Sequence, residues 1–283
     1  MIFPKQPQTT DAVAAHYDEL DGFYREIWGE HVHHGYWATG RETPAEAALS
    51  LIDLLADRLR LAPGQQVCDI GCGYGATARY LAEQHAVDVT GVTISAVQAS
   101  HGQLQKTTAG GVSIQLQDWL GNSFAAASFD RAYAVESSEH MTDKQRFFNE
   151  AFRILKPNGL FSVCAWLSRD APRAWEVRHL LEPICREGHL PSLGDETDYR
   201  RYGERAGFRL LQVEDLSNQV SRTWRICVRR ALGKLLTRPR YLRFLLDETA
   251  ANRSFAMSLI RIMIAYRTRS MRYCVFVFMR EAP

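Results

Sequence analysis

Short apolar runs alternate with amphipathic stretches along the first 170 residues of the chain. The apolar runs have the length of buried strands, and the stretches between them carry apolar residues at helical spacing. Alternation of this kind predicts a parallel sheet covered by helices on both faces. Strands are predicted at residues 66–70, 87–92, 112–116, 129–135 and 160–166, and helices at 76–84, 95–107 and 142–155.

Before the first predicted strand, the sequence carries the start and stop signals of helices instead of alternating strands and helices. Thr43-Pro44-Ala45-Glu46 is a capping box with proline at the first helical position. A helix is therefore predicted to begin there and to end before Ala62-Pro63-Gly64. Residues 11–37, which are rich in aromatic residues and histidine, are predicted to form one or two short helices, and residues 1–10 a frayed tail.

After this region the chain becomes mainly helical. Lys156-Pro157-Asn158-Gly159 predicts a turn before the fifth strand. Residues 172–270 are predicted to be helical apart from one strand near 208–214. Residues 272–279 are very apolar and predict a last, buried strand.

The composition is that of an ordinary globular protein with a core of good size. The chain has 283 residues, of which 46% are apolar and 23% charged, and a formal net charge of +2 gives no sign of a nucleic-acid partner. Its six cysteines include no CxxC pair, which disfavours a zinc site or a disulfide framework and favours a cytoplasmic compartment. No stretch approaches the ~18 apolar residues of a membrane span, and the N-terminus lacks the pattern of a signal peptide.

The loop Gly71-Cys72-Gly73-Tyr74-Gly75 follows the first predicted strand and opens a helix. Glycines there allow a tight turn and let backbone N–H groups approach a ligand closely, although a purely structural turn is the alternative. Asp69 lies two residues before the first glycine, where it would repel a pyrophosphate but attract an ammonium group. The loop therefore favours a ligand with a cationic amino-acid end and disfavours a nicotinamide-dependent oxidoreductase.

The segment from Asp69 to Gly75 resembles motif I of the class I S-adenosylmethionine (SAM)-dependent methyltransferases. His31-Val32-His33-His34-Gly35-Tyr36-Trp37 and Glu136-Ser137-Ser138-Glu139-His140-Met141 resemble one branch of that superfamily. The branch contains γ-tocopherol methyltransferases, rebeccamycin-type sugar methyltransferases and, more distantly, cyclopropane-fatty-acid synthases. The resemblance covers nearly the whole chain. It implies an α/β, Rossmann-like sheet of seven mostly parallel strands, with the last strand antiparallel, and a helical lid.

The same resemblance implies a single domain over residues 1–283. Residues 1–40 are expected to form an N-terminal helical lid and residues 60–170 the SAM-binding core. Residues 171–260 are expected to form a helical substrate lid with an interspersed strand. Both lids are expected to cover the carboxyl edge of the sheet.

SAM is the expected cofactor, and the resemblance implies how its ribose is held. Many Rossmann-like proteins place an acidic residue at the end of the second strand, but this chain has Thr93-Ile94 there. The branch implies instead that Thr93 and Gln98 bind the ribose hydroxyls. Gln98 also fits a capping box that begins at Ser95.

The remaining cofactor contacts are implied in the same way. Asp118 is expected to accept from the adenine amino group and Trp119 to lie beside the ring, the alternatives being a surface aspartate and a core tryptophan. Tyr17 and His33 match positions that close over the methionine end. The His31, His33 and His34 cluster has no partner carboxylate pair or cysteine, so no metal site is predicted. The residues implied to bind SAM are Tyr17, His33, Asp69, Gly71, Cys72, Gly73, Thr93, Ile94, Gln98, Asp118, Trp119 and Glu136.

Glu136, Glu139 and His140 follow the fourth predicted strand, at the edge where open α/β sheets bind ligands. The sulfonium of SAM is already a good leaving group, so the protein must align the acceptor, exclude water and remove a proton where the acceptor carries one. Histidine titrates near neutrality, so His140 is predicted to be the catalytic base, with Glu136 as the second candidate. The alternative for His140 is a helix cap or a pair with a neighbouring carboxylate.

The interval 222–243 carries eight arginine or lysine residues and no aspartate or glutamate. Apolar residues at helical spacing predict one buried face, so a solvated helix face is the first interpretation. Peripheral contact with anionic lipid headgroups is the second. RNA binding is the weakest, because the cations lack interleaved aromatic residues and the Asn-Pro-Pro-Tyr type signature of base methylases is absent.

We therefore expect a methyltransferase acting at carbon, oxygen or nitrogen of a small hydrophobic acceptor, which would be an aromatic, a quinol or an isoprenoid-derived natural product. A second hypothesis is a cyclisation or rearrangement on the same fold without methyl transfer. A third is a non-catalytic SAM-binding module, which would not need His140 beside a roomy pocket. Labelled SAM with a panel of acceptors distinguishes the first two.

Overall fold

One sheet organises the chain, of which the computed structural model describes residues 1–105, 107–247, 252 and 255–282. Within these residues seven strands lie in the order β3-β2-β1-β4-β5-β7-β6. The first five strands are parallel, and β7 is antiparallel to both β5 and β6. This confirms the predicted Rossmann-like sheet and its antiparallel last strand. The strands are β1 Gln66–Ile70, β2 Asp88–Thr93, β3 Val112–Leu116, β4 Phe129–Val135, β5 Leu155–Ser168, β6 Phe208–Asp215 and β7 Met271–Arg280.

Twelve α-helices connect and flank these strands within the described residues. Short 3₁₀ turns lie at Trp119–Gly121 and Ser138–His140, and a π-helical turn, Val177–Leu181, joins the sixth and seventh helices. The helices are α1 Thr10–Ile27, α2 Pro44–Leu59, α3 Ala76–His85, α4 Ala96–Gln103, α5 Lys144–Ile154, α6 Ala174–Glu176, α7 Glu182–Glu187, α8 Glu196–Ala206, α9 Ser217–Val220, α10 Arg222–Thr237, α11 Pro239–Leu246 and α12 Phe255–Arg267.

The start of α2 shows how local sequence sets an element. The Thr43 hydroxyl accepts from the Glu46 backbone N–H, and the Glu46 carboxylate accepts from the Thr43 backbone N–H at 2.7 Å. Pro44 occupies the first turn, where its missing N–H costs nothing. The predicted capping box is thus confirmed, and the helix ends at Leu59, before Ala62-Pro63-Gly64.

Three local predictions differ from the structure. The N-terminus is not frayed: Ile2 is buried and pairs with Leu193. The predicted turn at 156–159 lies inside β5 as a bulge, where the pairing with β4 jumps from Leu155 to Leu160. The helix predicted to reach residue 107 ends at Gln103.

Two apolar clusters pack on opposite faces of the sheet. One joins α2 to α7 and α10 and is built around Leu51, Leu55 and Ile184. The other packs α5 and α8 on β5 and β7 through stacked aromatic rings that include Phe161 and Phe276. Both faces of the central strands are therefore dry, which agrees with their nearly continuous apolar sequences.

The strand order reverses between β1 and β4, which are neighbours in the sheet although two strands separate them in sequence. Open α/β sheets bind ligands at the carboxyl ends of the strands beside such a reversal. At this edge α1 packs against α4 and α10, and α10 packs against α11 and α12. None of the helices that the structure describes combines the length and apolar character needed to cross a bilayer.

Candidate active site

The glycine loop after β1 forms the floor of a cleft at the strand reversal. Gly71, Gly73 and Gly75 all have positive φ, at +81°, +53° and +71°. A Cβ atom built on Gly71 would lie 2.3 Å from the Ser137 Cβ, so no larger residue fits there. A Cβ on Gly73 would meet nothing closer than the Gln98 Nε2 at 4.0 Å, because that glycine faces the open cleft. The loop therefore needs glycine at Gly71 for close packing and leaves the backbone at Gly73 open to the cleft.

Two adjoining cavities fill the cleft, and both are lined by Gly71 and Gly73. The larger has about 780 Å³ of empty space, including its mouth, and the smaller about 380 Å³. Each residue predicted to bind SAM or to catalyse lies on one of these walls. The larger cavity also takes Tyr17, Thr93, Ile94, Gln98, Asp118, Trp119, Glu136 and His140, and the smaller takes His33, Asp69 and Cys72.

Asp69 is a buried carboxylate that forms no ion pair with the described residues. Its Oδ2 atom has no hydrogen-bond partner, and burial raises the pKa of Asp69 to about 7 because it outweighs the opposing effect of the Tyr133 hydroxyl. His33 lines the same cavity, where its Nδ1 lies 2.8 Å from the His34 carbonyl oxygen and its Nε2 has no partner. A ligand ammonium group beside Asp69 would supply the missing countercharge. The amino-acid end of SAM therefore fits this end of the cleft.

Thr93 and Gln98 are held together at the end of β2. The Thr93 hydroxyl donates to the Gln98 Oε1 at 2.8 Å, and both side chains are buried. The Gln98 backbone N–H donates to the Ser95 hydroxyl oxygen at 3.1 Å, so Ser95 caps α4. The Ser95 hydroxyl donates in turn to Asp18 at 2.5 Å, which joins α1 to this wall. The Gln98 side chain thus points to Thr93 and the cavity, while its backbone N–H donates to the capping Ser95 hydroxyl.

Asp118 and Trp119 each combine a structural role with a place on the cavity wall. One Asp118 carboxylate oxygen accepts from the Leu120 backbone N–H at 2.9 Å and so caps a 3₁₀ turn. Trp119 is almost fully buried, and its indole N–H donates to the Phe147 carbonyl at 3.2 Å. The tryptophan is therefore part of the core and also forms part of the cavity wall.

His140 lies against α1 at the other end of the larger cavity. Its Nε2 is 2.9 Å from the Tyr17 hydroxyl oxygen, and the two rings meet edge to face with centroids 5.3 Å apart. Burial lowers the pKa of His140 to about 3, and His16 adds to that effect. The expectation that His140 titrates near neutrality is therefore wrong, because its ring is desolvated and uncharged. The same burial raises the pKa of Tyr17 above its ordinary value.

Glu136 is locked into a buried hydrogen-bond chain. Its carboxylate accepts from the His34 backbone N–H at 2.7 Å, from the His34 Nδ1 at 2.8 Å and from the Tyr273 hydroxyl at 2.9 Å. The Trp224 indole N–H can only donate, and it lies 2.5 Å from the His34 Nε2, so that nitrogen carries the lone pair. Burial acts to raise the pKa of Glu136, but the interaction with His34 prevails and the pKa is lowered.

These contacts identify residues that the sequence did not single out for a role in the site. Glu136 itself has a positive φ of +54°, which directs its side chain toward the segment before α2. His34 lies in the segment from His31 to Trp37 that carries the resemblance. His33, next to it, was already predicted to contact the cofactor, so the local sequence pointed to this segment. Trp224 and Tyr273 lie far along the chain in α10 and β7, and only the fold brings them to His34 and Glu136.

Glu139 is fully buried and faces the protein interior. One carboxylate oxygen accepts from the Trp166 backbone N–H at 2.6 Å and the other from the Ser138 hydroxyl at 3.0 Å. Burial raises its pKa to about 8. The Lys144 ammonium binds the Glu139 carbonyl oxygen at 3.2 Å instead of the carboxylate. The Glu139 side chain is therefore a structural element beneath the site.

A separate apolar cavity of about 520 Å³ lies between α1, α10 and α11. One face of α1 serves both spaces, since Val13 and Tyr17 line the larger cleft cavity while Leu20 and Tyr24 line the apolar one. The Tyr17 and Tyr24 rings stack with centroids 5.5 Å apart, so two ring contacts lead from the apolar cavity to His140. The other lining residues are Phe23, Ile27, Trp28, Ala231, Leu235, Tyr241, Phe244, Leu245, Asn252 and Leu259.

The three histidines before α2 do not assemble a metal site. His31 and His33 lie with ring centroids 5.4 Å apart, whereas His34 is bonded to Glu136 and Trp224. Across the described part of the chain, no three histidine, cysteine, aspartate or glutamate side chains are grouped so that they could hold a metal ion.

Comparison with known proteins gives matches over most of the chain. The family model for mycolic acid cyclopropane synthetase matches residues 4–235. The probable chloroplastic tocopherol O-methyltransferase of Oryza sativa subsp. japonica is 30% identical over 243 residues, which cover 80% of this chain and 67% of that protein.

Two solved structures share the fold. The cyclopropane synthase MmaA2 from Mycobacterium tuberculosis superposes with a TM-score of 0.85 at 22% identity, covering 97% of this chain and 99% of that one. The cyclase SpnF gives a TM-score of 0.83 at 24% identity, covering 100% of both chains. At these identities the likeness extends to the fold alone.

Proposed function

Because this chain belongs to the mycolic acid cyclopropane synthetase family and is a SAM-dependent methyltransferase related to the tocopherol methyltransferases, we propose that it methylates a hydroxyl group of a hydrophobic aromatic, quinol or isoprenoid-derived acceptor. The observation that carries the proposal is the apolar cavity, which two stacked aromatic rings connect to His140 at the cofactor cleft. The printed activity of the rice relative, O-methylation of a tocopherol, supports oxygen as the methylated atom.

The chain's own residues are proposed to divide the cleft into three binding regions. Asp69 would hold the ammonium group, Thr93 and Gln98 the ribose hydroxyls, and Asp118 the adenine amino group beside Trp119. SAM held in this way supplies an electrophilic methyl group to the acceptor. The protein's contribution is alignment and exclusion of water, for which the buried walls of the cleft are suited.

The apolar cavity is proposed to take the hydrophobic part of the acceptor. Its wall is built from aliphatic and aromatic side chains, with Asn252 as its one amide among the described lining residues. Since Tyr24 belongs to this wall and Tyr17 stacks on it, an acceptor ring that continues the stack would come to His140. The Tyr17 hydroxyl would then mark the place that the acceptor hydroxyl takes beside the His140 Nε2.

His140 is proposed to remove the acceptor proton. An uncharged imidazole at that place can accept a proton at every pH well above 3. Low basicity is sufficient, because an oxygen that is gaining a methyl group becomes a strong acid and loses its proton readily. Glu136 is proposed to position the His34 segment instead of acting as the base, since its carboxylate already accepts three hydrogen bonds.

Methyl transfer is tested with labelled SAM and a panel of prenylated phenols, quinols and non-prenylated phenols. We expect label in an ether product of a prenylated acceptor and one S-adenosylhomocysteine (SAH) released per product, as measured by mass spectrometry. An acceptor converted without release of SAH would support the cyclisation or rearrangement hypothesis and overturn this one. Label on carbon would correct the methylated atom.

The cysteines support a reducing compartment, such as the cytoplasm, as part of the proposal. All six are buried free thiols. Burial raises the pKa of Cys68 and of Cys72 well above the ordinary value, so neither is a reactive thiolate at neutral pH.

A further inference from the structure

The outward-facing surface of α10 carries a stripe that the methyl-transfer site does not use. Arg225, Arg229, Leu232 and Leu236 are spaced four, three and four residues apart, which places them on one helix face. All four are exposed. The stripe is basic toward the start of the helix and apolar toward its end. We call this stripe, together with Arg238, Leu242, Arg243 and Leu246, the outer face.

The helix α11 is apolar on two sides. Tyr241, Phe244 and Leu245 line the apolar cavity, while Leu242 and Leu246 point outward. The exposed fraction is 52% for Leu242 and 71% for Leu246, and on α10 it reaches 55% for Leu232 and 89% for Leu236. Four outward leucines on two helices that pack together thus leave large apolar side chains in contact with water, which solvates them poorly.

The charges of the outer face are unneutralised within the described part of the chain. Arg225, Arg229, Arg238 and Arg243 are exposed and form no ion pair there. The other four cations of 222–243 contact the protein itself: Arg222 donates to the Gly40 carbonyl, Arg230 to the Ile27 carbonyl, and Lys234 and Arg240 bind Glu26. The four free arginines thus lie on the same two helices as the outward leucines, or on the turn between those helices.

We propose that the outer face docks on an anionic lipid bilayer, with its leucines in the acyl boundary and its arginines on the headgroup phosphates. Exposed arginine and leucine on the same helix suit a bilayer surface, where anionic headgroups lie over the apolar acyl chains. A second copy of this chain suits it poorly, because two such faces would oppose like charges without an intervening carboxylate in 222–243. RNA would leave the leucines exposed to water.

Only the purpose of the docking, which is access of the acceptor to the apolar cavity, rests on the proposed function. The wall of the apolar cavity and the outer face are two sides of the same helix, α11. A hydrophobic acceptor dissolved in a bilayer would reach the cavity without crossing water when α11 lies on the lipid. Membrane binding itself needs neither SAM nor acceptor.

The test is co-sedimentation of the full chain with vesicles of phosphatidylcholine alone or mixed with phosphatidylglycerol. The wild type should bind the anionic vesicles at least tenfold more tightly, and added salt should weaken that binding. Each of Arg225→Gln, Arg229→Gln and Arg243→Gln should reduce the partition constant about fivefold, since a basic residue near an anionic surface contributes about 1 kcal/mol. Leu232→Ser combined with Leu236→Ser should reduce binding to both kinds of vesicle.

Matched controls use exposed residues away from the outer face. Arg205→Gln and Leu104→Ser remove an exposed arginine and an exposed leucine and should leave binding unchanged. All variants should retain the wild-type circular dichroism, SAH affinity and turnover on a detergent-dispersed acceptor. Variants that lose only vesicle binding would separate docking from catalysis.

Three results would overturn the docking proposal. They are equal binding by the wild type and the arginine variants, a wild type that binds neither vesicle, and tighter binding to an RNA oligonucleotide than to anionic vesicles. A leucine variant that turns a dimer into a monomer in the absence of lipid would assign the outer face to a second copy. A wild type that binds anionic vesicles but methylates no acceptor would instead overturn the proposed function alone.

Discussion

At the scale of single residues, we expect Asp69 to couple cofactor binding to protonation. Its raised pKa, about 7, means that the free protein holds this carboxyl group half protonated at neutral pH. A bound ammonium group favours the ionised form, so binding below pH 7 must release a proton. We expect SAH affinity to rise with pH up to about tenfold per unit between pH 5 and pH 7, and then to level off.

The substitution Asp69→Asn tests the same interaction. It keeps the shape of the side chain but removes the charge, so SAH should bind about tenfold or more weakly, as expected for loss of a charge-assisted hydrogen bond. Titration calorimetry of both proteins between pH 5 and pH 8 provides the measurement. The variant should show no pH dependence over this range. An unchanged affinity in a folded variant would remove Asp69 from the cofactor site.

His140 is expected to act as a base whose charge does not change in the working pH range. His140→Ala should lower turnover ~10²–10⁴-fold, the size of general-base catalysis, with SAH affinity unchanged. Because burial lowers the pKa of the imidazole to about 3, wild-type turnover on an acceptor that does not itself ionise should stay flat from pH 5 to pH 8. Steady-state kinetics across that range tests both statements.

Two outcomes would contradict this role. Near-normal turnover of His140→Ala at saturating acceptor would exclude it as the base, and a higher KM alone would assign it to positioning. A wild-type rate that falls below a midpoint near pH 6.5 would show a solvated imidazole instead of a buried one. His179→Ala, which removes an exposed histidine on the π-helical turn, is the control.

At the scale of elements, α10 is tied to the segment before α2 by two buried hydrogen bonds. The Trp224 indole N–H donates to His34, and the Gly35 backbone N–H donates to the Thr223 hydroxyl oxygen at 3.0 Å. Since His34 also holds Glu136, this connection links the helix that carries the outer face to the end of β4. The segment between α1 and α2 has no helix or strand of its own, so such contacts give it its conformation.

Trp224→Phe isolates one of these contacts. The substitution keeps an aromatic ring but leaves the His34 Nε2 without a donor, so the free energy of unfolding should fall by about 1–3 kcal/mol. Trp175→Phe is the matched control, because Trp175 is 43% exposed and its loss should change stability by less than about 0.5 kcal/mol. Urea unfolding measures both. Equal stabilities of the two variants would show that the hydrogen bond to His34 carries no net stabilisation.

Elements with a strong local pattern were predicted to the residue, and those that depend on distant contacts were not. β1, β3 and β4 have the predicted bounds because short apolar runs between polar turns specify buried strands. The N-terminal residues carry no such pattern. Ile2 is ordered by pairing with Leu193 and the Met1 amino group by an ion pair with Asp198, and neither partner can be identified from the sequence around it.

At the scale of the whole molecule, the sequence predicts which residues line the cleft better than it predicts their pKa values. The glycine loop and the ends of the parallel strands must meet at one edge, so the predicted residues line connected walls. Burial depends on everything packed above that edge, which local sequence does not encode. For this reason the low pKa of His140 and the high pKa of Glu139 emerge only from the fold.

Buried titratable groups are expected to give the free protein a stability maximum near pH 6.5. His16, His31 and His140 have folded pKa values lowered to about 4, 3 and 3, so the unfolded chain binds more protons below pH 6.5 and stability falls with acid. Asp69 and Glu139 have folded pKa values raised to about 7 and 8, so the folded protein binds more protons and stability falls as pH rises toward those values.

Below pH 6.5 these three histidines outnumber the two carboxyl groups, and just above it the carboxyl groups dominate, which places the maximum near pH 6.5. The Lys144 ammonium, whose pKa burial lowers to about 8, opposes the carboxyl groups only as the pH approaches 8. Each uncompensated group contributes about 1.4 kcal/mol per pH unit. Urea unfolding at pH 5, 6.5 and 8 should therefore give the largest free energy of unfolding at pH 6.5. Saturating SAH should remove the contribution of Asp69 to the pH dependence, because the ionised carboxylate is then paired with the ligand ammonium group. The stability maximum should then move to higher pH. A free energy that rises steadily from pH 5 to pH 8 without ligand would mean that these carboxyl groups are not buried uncharged in the folded protein.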